Sequence, residues 1–329
     1  MEQKHKTTCL GIESTAHTFG IGIIKDKKIL ANVKDSYTTE KGGIVPIEAS
    51  KHHENVYKQV IKKALEQSRI KLKDLDLISY SQGPGLAPCL RVGLKVAKKI
   101  AKEYNKPLVG VNHCVAHLEI GKLVTSCKNP VLLYVSGANT QVIAFEGGKY
   151  RIFGETLDQG VGNFLDAFAR HTGLGFPGGP KLYELSLKSK NLIELPYVVK
   201  GMDVSVSGLL TNLKQKYDSG NYKIEDLAYS VQETVFAMLL EVAERAMAHC
   251  QKKELLLGGG VACNKRLQEM ARKMCEERNA ECFIPPNELL VDNGAMICWQ
   301  GILEQKDVIN VDKADIKPYE RTDDIVVNW

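Results

Sequence analysis

The sequence TCLGIESTAHTFGIGIIKDKKILANV, residues 8–33, decides the fold of this 329-residue chain. Three apolar runs in it are separated by turns of small and polar residues, which is the pattern of a three-stranded meander. The same pattern returns at residues 131–153, VLLYVSGANTQVIAFEGGKYRIF. Because the two stretches begin about 120 residues apart, they predict a duplicated α/β architecture with one meander in each of two lobes.

Helical segments connect and follow the meanders. The spacing of apolar residues predicts helices over 47–69 and 225–249, and a chain of this length exceeds the usual size of one hydrophobic core. We therefore predict an N-terminal lobe at residues 1–128, a C-terminal lobe at 129–300 and a C-terminal segment at 301–329 that returns to the N-terminal lobe.

The composition is that of an ordinary globular protein, with 44% hydrophobic and 25% charged residues. The net charge of +5 permits an anionic partner such as RNA without requiring one. Nine scattered cysteines without a Cys-x-x-Cys pair indicate the reduced thiols of a cytosolic protein. The N-terminus is polar and no apolar run approaches the ~20 residues that span a bilayer, so we predict a cytoplasmic protein without membrane contact.

Two histidines four residues apart, in NHCVAH at residues 112–117, are the candidate metal ligands. If a helix begins near Asn112, His113 and His117 lie on one face and reach a single ion; the alternative is a pair of surface histidines. Asp292, a short acid in a glycine-containing turn, completes the set and leaves coordination positions open. A zinc protease has a glutamate after its first histidine, where this chain has Cys114, so that interpretation is disfavoured.

Glycine-rich turns after strands are the candidate sites for a nucleotide. The turn at 136–138 lets backbone N–H groups approach phosphate oxygens, unless it is a plain hairpin. The glycines at 258–260, ahead of Asn264 and a helix at 265–278, let adenine and ribose rest on the backbone, unless they only connect two elements. A third turn, GPG at 83–85, precedes a basic helix and is a candidate anion site.

Three other features are interpreted from local pattern alone. The adjacent His52 and His53 point to different sides of their helix, so we place both at the surface or toward a partner. Residues 173–180, GLGFPGGP, are too rich in glycine and proline for regular structure and are predicted to form a loop. Residues 200–209 resemble an edge strand and turn.

Eight motifs, in this order, resemble the tRNA N6-adenosine threonylcarbamoyltransferase family over nearly the whole chain. They are LGIESTAHT at 10–18, GPG at 83–85, NHCVAH at 112–117, VSGANTQ at 135–141, GFPGGP at 175–180, SVSGL at 205–209, GGGVACN at 258–264 and DNGA at 292–295. The resemblance implies the actin, Hsp70 and sugar-kinase (ASKHA) fold, in which two duplicated α/β lobes hold a nucleotide in the cleft between them. It also implies an acyltransferase that moves threonylcarbamoyl from threonylcarbamoyl-AMP to N6 of adenosine 37 in tRNAs reading ANN codons and releases AMP.

The resemblance implies roles for individual residues as well. His113, His117 and Asp292 would hold one divalent metal ion in the interlobe cleft, with Tyr134 as a further ligand. Iron is the expected ion, and zinc and magnesium are the alternatives. The residues that would bind ATP or threonylcarbamoyl-AMP are Tyr134, Val135, Ser136, Gly137 and Ala138 for the phosphate and acyl part, and Asp166, Gly179 and Asn264 for the nucleoside end. No residue is assigned as the catalytic base.

Two residues indicate the archaeal and eukaryotic branch of the family: Tyr134, and His17 where bacterial relatives usually carry an acid. In that branch the enzyme is the catalytic subunit of the KEOPS complex, which also contains a small kinase-like subunit, a dimerising subunit and other small subunits. The kinase is fused to the transferase in some archaea, and tRNA capture is shared. Two positions depart from the pattern: Ala138 replaces a glycine, and Tyr183 stands where an acid often meets the ribose, with Glu184 as a substitute.

Two other functions compete with the transferase. An ATP-binding regulatory scaffold of a kinase-containing complex, without transferase activity, is the alternative from another class of protein. A pure nucleotide switch, however, needs no pair of metal-binding histidines. A sugar kinase needs an acidic base opposite the γ-phosphate, and no segment of the sequence clearly supplies one.

Overall fold

The computed structural model describes residues 7–39 and 43–329. Residues 1–6 and 40–42, which the predicted N-terminal lobe includes, lie outside the described residues. Contacts divide the chain into two units. The first comprises Met1–Tyr37, Ile44–Val124 and Asp292–Trp329, and the second comprises Thr38–Gly43 and Thr125–Val291. The lobe bounds expected from the sequence, 1–128, 129–300 and 301–329, stay a prediction.

Strands and helices are numbered along the described part of the chain. The strands are β1 (Thr8–Glu13), β2 (Thr18–Lys25), β3 (Lys28–Ser36), β4 (Leu77–Gly83), β5 (Leu108–Asn112), β6 (Val131–Val135), β7 (Thr140–Glu146), β8 (Lys149–Glu155), β9 (Val199–Lys200), β10 (Asp203–Val204), β11 (Glu254–Gly258) and β12 (Glu281–Phe283). The helices are α1 (Pro46–Ser68), α2 (Ala87–Glu103), α3 (His113–Val124), α4 (Val161–His171), α5 (Gly178–Ser186), α6 (Ser207–Asp218), α7 (Ile224–His249), α8 (Lys265–Glu277), α9 (Asn287–Leu290) and α10 (Gly294–Leu303). Short 3-10 helices lie at Leu72–Asp74, Gly260–Cys263 and Thr322–Asp324.

The first unit is built on a five-stranded sheet in the order β3-β2-β1-β4-β5. Strands β1, β2 and β3 pair antiparallel and form the meander predicted for residues 8–33, while β4 and β5 extend the sheet in parallel. Helices α1 and α2 pack against each other, and Val60 and Ala64 of α1 lie in one core with Ile21 and Ile23 of β2. Helix α10 packs on β1, β2 and β4 and also contacts α3.

The second unit repeats this plan in the order β12-β11-β6-β7-β8. Its meander is β6, β7 and β8, antiparallel throughout, and β11 pairs in parallel with both β6 and β12. Phe164 and Phe168 of α4 and Phe236 of α7 are fully buried in the core of this unit. Two sheets with the same strand order around a meander confirm the duplicated α/β fold.

Glycines allow α10 to lie directly on the β1–β2 hairpin. A Cβ on Gly22 would sit 2.3 Å from the backbone nitrogen of Ala295, and one on Gly11 would sit 2.2 Å from that of Cys298. From the helix side, a Cβ on Gly294 would lie 2.1 Å from the backbone nitrogen of Gly22. Since no side chain fits in these gaps, helix and strands meet backbone to backbone.

The surface assignment of the two adjacent histidines is wrong for His53. His52 is partly buried and its Nε2 lies 2.9 Å from Oδ1 of Asp35, but His53 is fully buried. Nε2 of His53 lies 3.1 Å from the carbonyl oxygen of Ala16, and its ring centroid is 5.7 Å from that of Phe19. Consecutive residues of a helix point about 100° apart, so one of the pair faces the sheet on which α1 packs.

Two segments in which no helix is predicted each contain the start of one. The predicted loop at 173–180 ends at Pro177, because α5 begins at the next residue with Pro177 as its N-cap. The predicted edge strand and turn at 200–209 contains the short β9–β10 pair, but from Ser207 onward it is α6. Glycine, proline and serine are common where helices begin, so their presence alone does not exclude a helix.

The nine cysteines all lie within the described residues and are reduced thiols, as predicted. Within residues 7–39 and 43–329, every helix is too short or too polar to cross a membrane. The cytoplasmic location expected from the sequence stays a prediction.

Replacing Gly22 by alanine should destabilise the protein, because the new methyl group meets the backbone of α10 and not a side chain that could move aside. We expect the free energy of unfolding, measured by urea denaturation, to fall by about 3 kcal/mol. Gly208→Ala is the matched control: an added Cβ there has no heavy atom within 4 Å, and alanine in α6 should raise stability by about 1 kcal/mol. A Gly22→Ala protein as stable as the wild type would contradict the backbone contact.

His53 should make stability sensitive to mild acid. Burial, and secondarily the neighbouring His52, lower the pKa of His53 from 6.5 to about 4. Between these two values the unfolded chain binds a proton that the folded protein excludes, so stability falls as the pH drops from 6.5 to 4. We expect this residue to account for about 3 kcal/mol of that loss.

The measurement is urea denaturation of the wild type and His53→Gln at pH 7 and pH 4.5. The glutamine amide can still donate to the carbonyl of Ala16 but takes up no proton, so its stability should depend less on pH. Equal pH dependence in the two proteins would show that His53 is protonated in the folded state.

Candidate active site

Helix α3, which carries the two candidate metal ligands His113 and His117, starts where a side chain caps it. Asn112 ends β5, and its Oδ1 accepts hydrogen bonds from the backbone nitrogens of Cys114 at 3.0 Å and Val115 at 3.2 Å. This satisfies two of the N–H groups that a helix leaves without partners at its start. Helix α3 therefore begins at His113, and His113 and His117 occupy one face of it, as their spacing predicted.

The structure brings His113, His117 and Asp292 together inside the first unit. Nε2 of each histidine lies 3.5 Å from Oδ1 of Asp292, and the three ligand atoms are all within 4.8 Å of one another. The histidines are buried and the side chain of Asp292 is 13% exposed. Two ligand atoms about 2.1 Å from one tetrahedral ion lie about 3.4 Å apart, so the observed spacing fits a bound cation.

Glu13 contacts the ring nitrogen of His113 that does not face Asp292. It ends β1 and is fully buried, and its Oε2 lies 3.0 Å from Nδ1 of His113. Its Oε1 accepts hydrogen bonds from the backbone nitrogen of Thr15 at 2.6 Å and from its hydroxyl at 2.5 Å. A carboxylate only accepts, so Nδ1 carries a proton, and Nε2, which faces Asp292, is the nitrogen left to bind a metal ion. The sequence analysis assigned Glu13 no role, although an acid that ends a fully apolar strand is an unusual feature.

The pKa values of the three ligands reflect burial and mutual charge. For His113, burial lowers the pKa, but the charge and hydrogen bond of Glu13, together with Asp292, outweigh it and raise the pKa to about 8. Burial lowers the pKa of His117. Burial raises the pKa of Asp292, but its interaction with His117 and the charge of His113 dominate and hold it well below its usual range.

Cys114, which stands where a zinc protease has its glutamate, takes no part in acid–base chemistry. Burial is the main reason that the pKa of its thiol is raised to about 12. The thiol therefore stays protonated at neutral pH and cannot serve as a general base. This supports the sequence argument against a metalloprotease.

In the second unit, the turn at 136–139 closes on itself and exposes two of its residues. The backbone nitrogen of Ser136 donates to the carbonyl of Asn139 at 2.8 Å, and its hydroxyl accepts from the backbone nitrogen of Asn139 at 3.1 Å. Gly137 and Ala138, at the tip, are exposed. Tyr134 and Val135, which precede the turn in β6, are fully buried.

The start of α4 is bonded to this turn and is not itself open to an anion. The backbone nitrogen of Gly162 donates to the carbonyl of Ser136 at 3.0 Å, and that of Asn163 donates to the carbonyl of Gly137 at 2.9 Å. The hydroxyl of Thr140 accepts from the backbone nitrogen of Val161 at 2.9 Å. The exposed part of the turn is therefore its tip, Gly137 and Ala138.

The other residues proposed for the nucleoside end belong to segments around that turn. Gly259, with φ of +89°, lies so close to β6 that a Cβ would sit 2.3 Å from the carbonyl oxygen of Val135. Asn264 starts α8, where its Oδ1 accepts from the backbone nitrogen of Arg266 at 2.9 Å and its Nδ2 donates to Oε1 of Gln232 at 2.5 Å. The glycine turn at 258–260 therefore lies against the turn at 136–139.

Asp166 is hydrogen-bonded to the first residue of α5, the helix that contains Gly179. Oδ1 of Asp166 accepts a hydrogen bond from the backbone nitrogen of Gly178 at 2.7 Å, which ties α4 to the start of α5. An added Cβ on Gly179 would have no heavy atom within 4 Å, so its backbone is open to a ligand. Tyr183, one turn further along α5, is partly buried, and Glu184 is exposed.

The prediction of an anion site at the GPG turn, 83–85, is wrong. The backbone nitrogen of Gly85 donates to the carbonyl of Pro318 at 3.1 Å, and a Cβ on Gly83 would lie 1.8 Å from the carbonyl oxygen of Lys317. The carbonyl of Thr15 accepts from the backbone nitrogen of Leu86 at 2.7 Å. The glycines therefore allow the chain's last segment to pack closely against this turn. No local sequence pattern indicates that contact.

A family model described as TsaD, tRNA N6-adenosine threonylcarbamoyltransferase, matches residues 28–299. The chain belongs to this family. The transferase is 55% identical over 322 residues to the tRNA N6-adenosine threonylcarbamoyltransferase of Thermococcus sibiricus, which covers 97% of this chain and 99% of that protein. The family expected from the eight motifs is confirmed, and the chain is an enzyme that acts on tRNA.

A second relative is longer than this chain. The transferase is 50% identical over 324 residues to the probable bifunctional tRNA threonylcarbamoyladenosine biosynthesis protein of Methanocaldococcus jannaschii, a match that covers 98% of this chain and 60% of that protein. Among solved structures, this chain resembles full-length HypF in its phosphate- and nucleotide-bound form, with a TM-score of 0.64 at 11% identity. That match covers 93% of this chain and 56% of HypF and shows a shared fold, in agreement with the predicted ASKHA class.

Glu13 should control how tightly the transferase binds a metal ion. Without the carboxylate, Nδ1 of His113 keeps the hydroxyl of Thr15, 3.3 Å away, but loses its charged acceptor, so the ring is held less firmly toward Asp292. We expect Glu13→Ala to weaken Zn²⁺ binding, measured by calorimetry, by about 10- to 100-fold. It should also lower the pKa of His113 in the metal-free protein, because the charge that raises it is gone.

Glu13→Gln is the matched control for this prediction. Its side-chain oxygen can still accept from Nδ1 of His113, so metal affinity should lie between those of the wild type and Glu13→Ala. Unchanged affinity in Glu13→Ala would remove Glu13 from the metal centre.

Proposed function

We propose that the transferase moves the threonylcarbamoyl group from threonylcarbamoyl-AMP to N6 of adenosine 37 in tRNAs that read ANN codons, and releases AMP. The observation that carries this proposal is the buried set of His113, His117 and Asp292, backed by Glu13. An ATP-binding scaffold without transferase activity would have no use for such a set, and membership of a transferase family also argues against it.

His113, His117 and Asp292 would hold one divalent ion, which when bound supplies positive charge to polarise the carbamoyl carbonyl and to stabilise the departing phosphate. Two imidazoles and a carboxylate suit iron(II) and zinc, and we propose iron; zinc and magnesium are the alternatives. The chain contributes a preset geometry, because the hydrogen bond from His113 to Glu13 fixes which nitrogen is available. Tyr134, which belongs to the second unit, stays a prediction as a further ligand.

The second unit would bind the nucleotide. We assign the phosphate and acyl part to residues 134–138, since the N–H groups of Gly137 and Ala138 lie at the exposed tip of a turn that is otherwise bonded internally. We assign the nucleoside end to Asp166, Gly179 and Asn264. Asp166 has one oxygen committed to Gly178, and the open backbone of Gly179 supports a close approach by the ligand.

The partners follow from the same family. We propose that the transferase works with tRNA and with KEOPS subunits, namely a small kinase-like protein, a dimerising subunit and other small subunits. The bifunctional relative from Methanocaldococcus jannaschii supports a partner domain, because 60% of that protein is covered by this chain and the remainder lies outside the match.

Incorporation of labelled threonine into purified tRNA tests the proposal. The wild type, supplied with threonylcarbamoyl-AMP and its partners, should label tRNA that carries adenosine 37, while His113→Ala/His117→Ala should lose the activity at least about 100-fold. His171→Ala is the matched control, because His171 lies on α4 and pairs with Asp218 outside the metal centre.

Metal analysis of the purified proteins accompanies the assay. The wild type and His171→Ala should retain one equivalent of a divalent ion, and the double variant should lose it; the element found decides between iron, zinc and magnesium. If the wild type binds ATP and its partners but leaves tRNA unlabelled, the scaffold replaces the proposed reaction.

A further inference from the structure

We propose that Glu320 is a positioning residue for the metal centre and that it acts through Asn112. The inference rests on the proposed role of His113 and His117 as metal ligands. Glu320 lies in the chain's last segment, outside all eight motifs and 208 positions from Asn112 in sequence.

The oxygen and the nitrogen of the Asn112 side-chain amide make different contacts. Oδ1 accepts hydrogen bonds from the backbone nitrogens of Cys114 and Val115 and so caps α3. Nδ2 donates to Oε2 of Glu320 at 3.1 Å. Were the amide rotated by half a turn, the NH₂ group would face the N–H groups of the helix and the cap would be lost. The acceptor on the other side is therefore what holds the amide in the capping orientation.

Glu320 is suited to this role because its carboxylate only accepts hydrogen bonds and is nearly buried. Its side chain is 7% exposed, and its second oxygen, Oε1, lies 2.8 Å from Nζ of Lys317. The side chain of Lys317 is 57% exposed. Glu320 therefore pairs with Lys317 on its solvent side and with Asn112 on its buried side. A buried carboxylate with both oxygens engaged has little freedom to turn away.

The segment that carries Glu320 is anchored beside Asn112 by its backbone. The backbone nitrogen of Lys317 donates to the carbonyl of Gln82 at 2.8 Å, and the hydroxyl of Tyr80 donates to the carbonyl of Asp315 at 2.9 Å. Gly83 and Asn112 are register partners at the ends of β4 and β5. The anchoring point on β4 is therefore next to the residue that Glu320 contacts on β5.

A second contact ties the same segment to the first turn of α3. Thr322 is buried and hydrogen-bonds the thiol of Cys114, which directly follows His113. The last segment thus touches the residues on both sides of His113. From this we infer that it sets where α3 begins and, through that start, where the imidazoles of His113 and His117 point.

Reversing the donor and the acceptor tests the link. Asn112→Asp keeps an oxygen to cap α3 but replaces the NH₂ group with a second carboxylate oxygen that faces Glu320. Glu320→Gln keeps an oxygen that can accept from Asn112. The double variant Asn112→Asp/Glu320→Gln restores one hydrogen bond with the opposite polarity. Asp323→Asn, a change in the same segment at a surface side chain, is the matched control.

Amide hydrogen exchange of the metal-free proteins is the first readout, because it requires neither metal nor activity. We expect the amides of Cys114 and Val115 to exchange at least about tenfold faster in Asn112→Asp than in the wild type. Glu320→Gln, the double variant and Asp323→Asn should stay within about threefold of the wild type. Thermal unfolding of each protein verifies that the fold is intact.

Calorimetry with Zn²⁺ is the second readout, counting only the binding that His113→Ala/His117→Ala abolishes. We expect Asn112→Asp to weaken that binding by about tenfold and the double variant to recover most of it. If the double variant is as defective as Asn112→Asp, or if Asn112→Asp behaves as the wild type, Glu320 does not position the site. If the wild type binds no Zn²⁺ at this site while the exchange pattern is as expected, the proposed metal function fails and the positioning of α3 stands.

Discussion

Helix α10 meets the β1–β2 hairpin backbone to backbone, and the geometry of the candidate metal centre depends on that contact. Gly22 on the strand and Gly294 on the helix leave no room for a side chain between them. Asp292 comes two residues before the helix, and Asn293 caps it by accepting from the backbone nitrogen of Met296 at 3.0 Å. Because α10 also packs on α3, the carboxylate of Asp292 is held beside the histidines although nothing in the local sequence connects them.

The same packing buries four ionisable groups in a small volume, which is unfavourable unless their charges and hydrogen bonds compensate. The compensation is visible at two of them, because neighbouring charges and hydrogen bonds raise the pKa of His113 and lower that of Asp292, while burial lowers the pKa of His117. Glu13 balances the charge of His113 and is itself satisfied by Thr15. A cation among these donors would interact with Asp292 and both imidazoles at once. The cluster is therefore better suited to binding a cation than to stabilising the fold.

The two meanders have the same strand order but use their first turns differently. In the first unit the turn after β1 is buried, and Glu13 and Thr15 support the metal ligands from it. In the second unit the turn after β6 is exposed at Gly137 and Ala138. A duplicated fold provides two equivalent positions, and the residues at each decide whether it is buried and charged, as at Glu13, or exposed and uncharged, as at Gly137 and Ala138.

The sequence by itself determined the two meanders, the long helices, the family and the pairing of His113 with His117, because periodicity, motifs and i, i+4 spacing are local properties of the chain. Local pattern failed where a helix began at residues that usually break one, and where His53 turned inward to the sheet. Only the tertiary structure decided which distant side chains meet: Glu13 with His113 across 100 positions, and Glu320 with Asn112 across 208. The physical reason is that such contacts arise when β1, β4 and β5 pair in one sheet and the last segment is anchored beside it. That packing depends on glycines and backbone hydrogen bonds that are distant from the histidines in sequence.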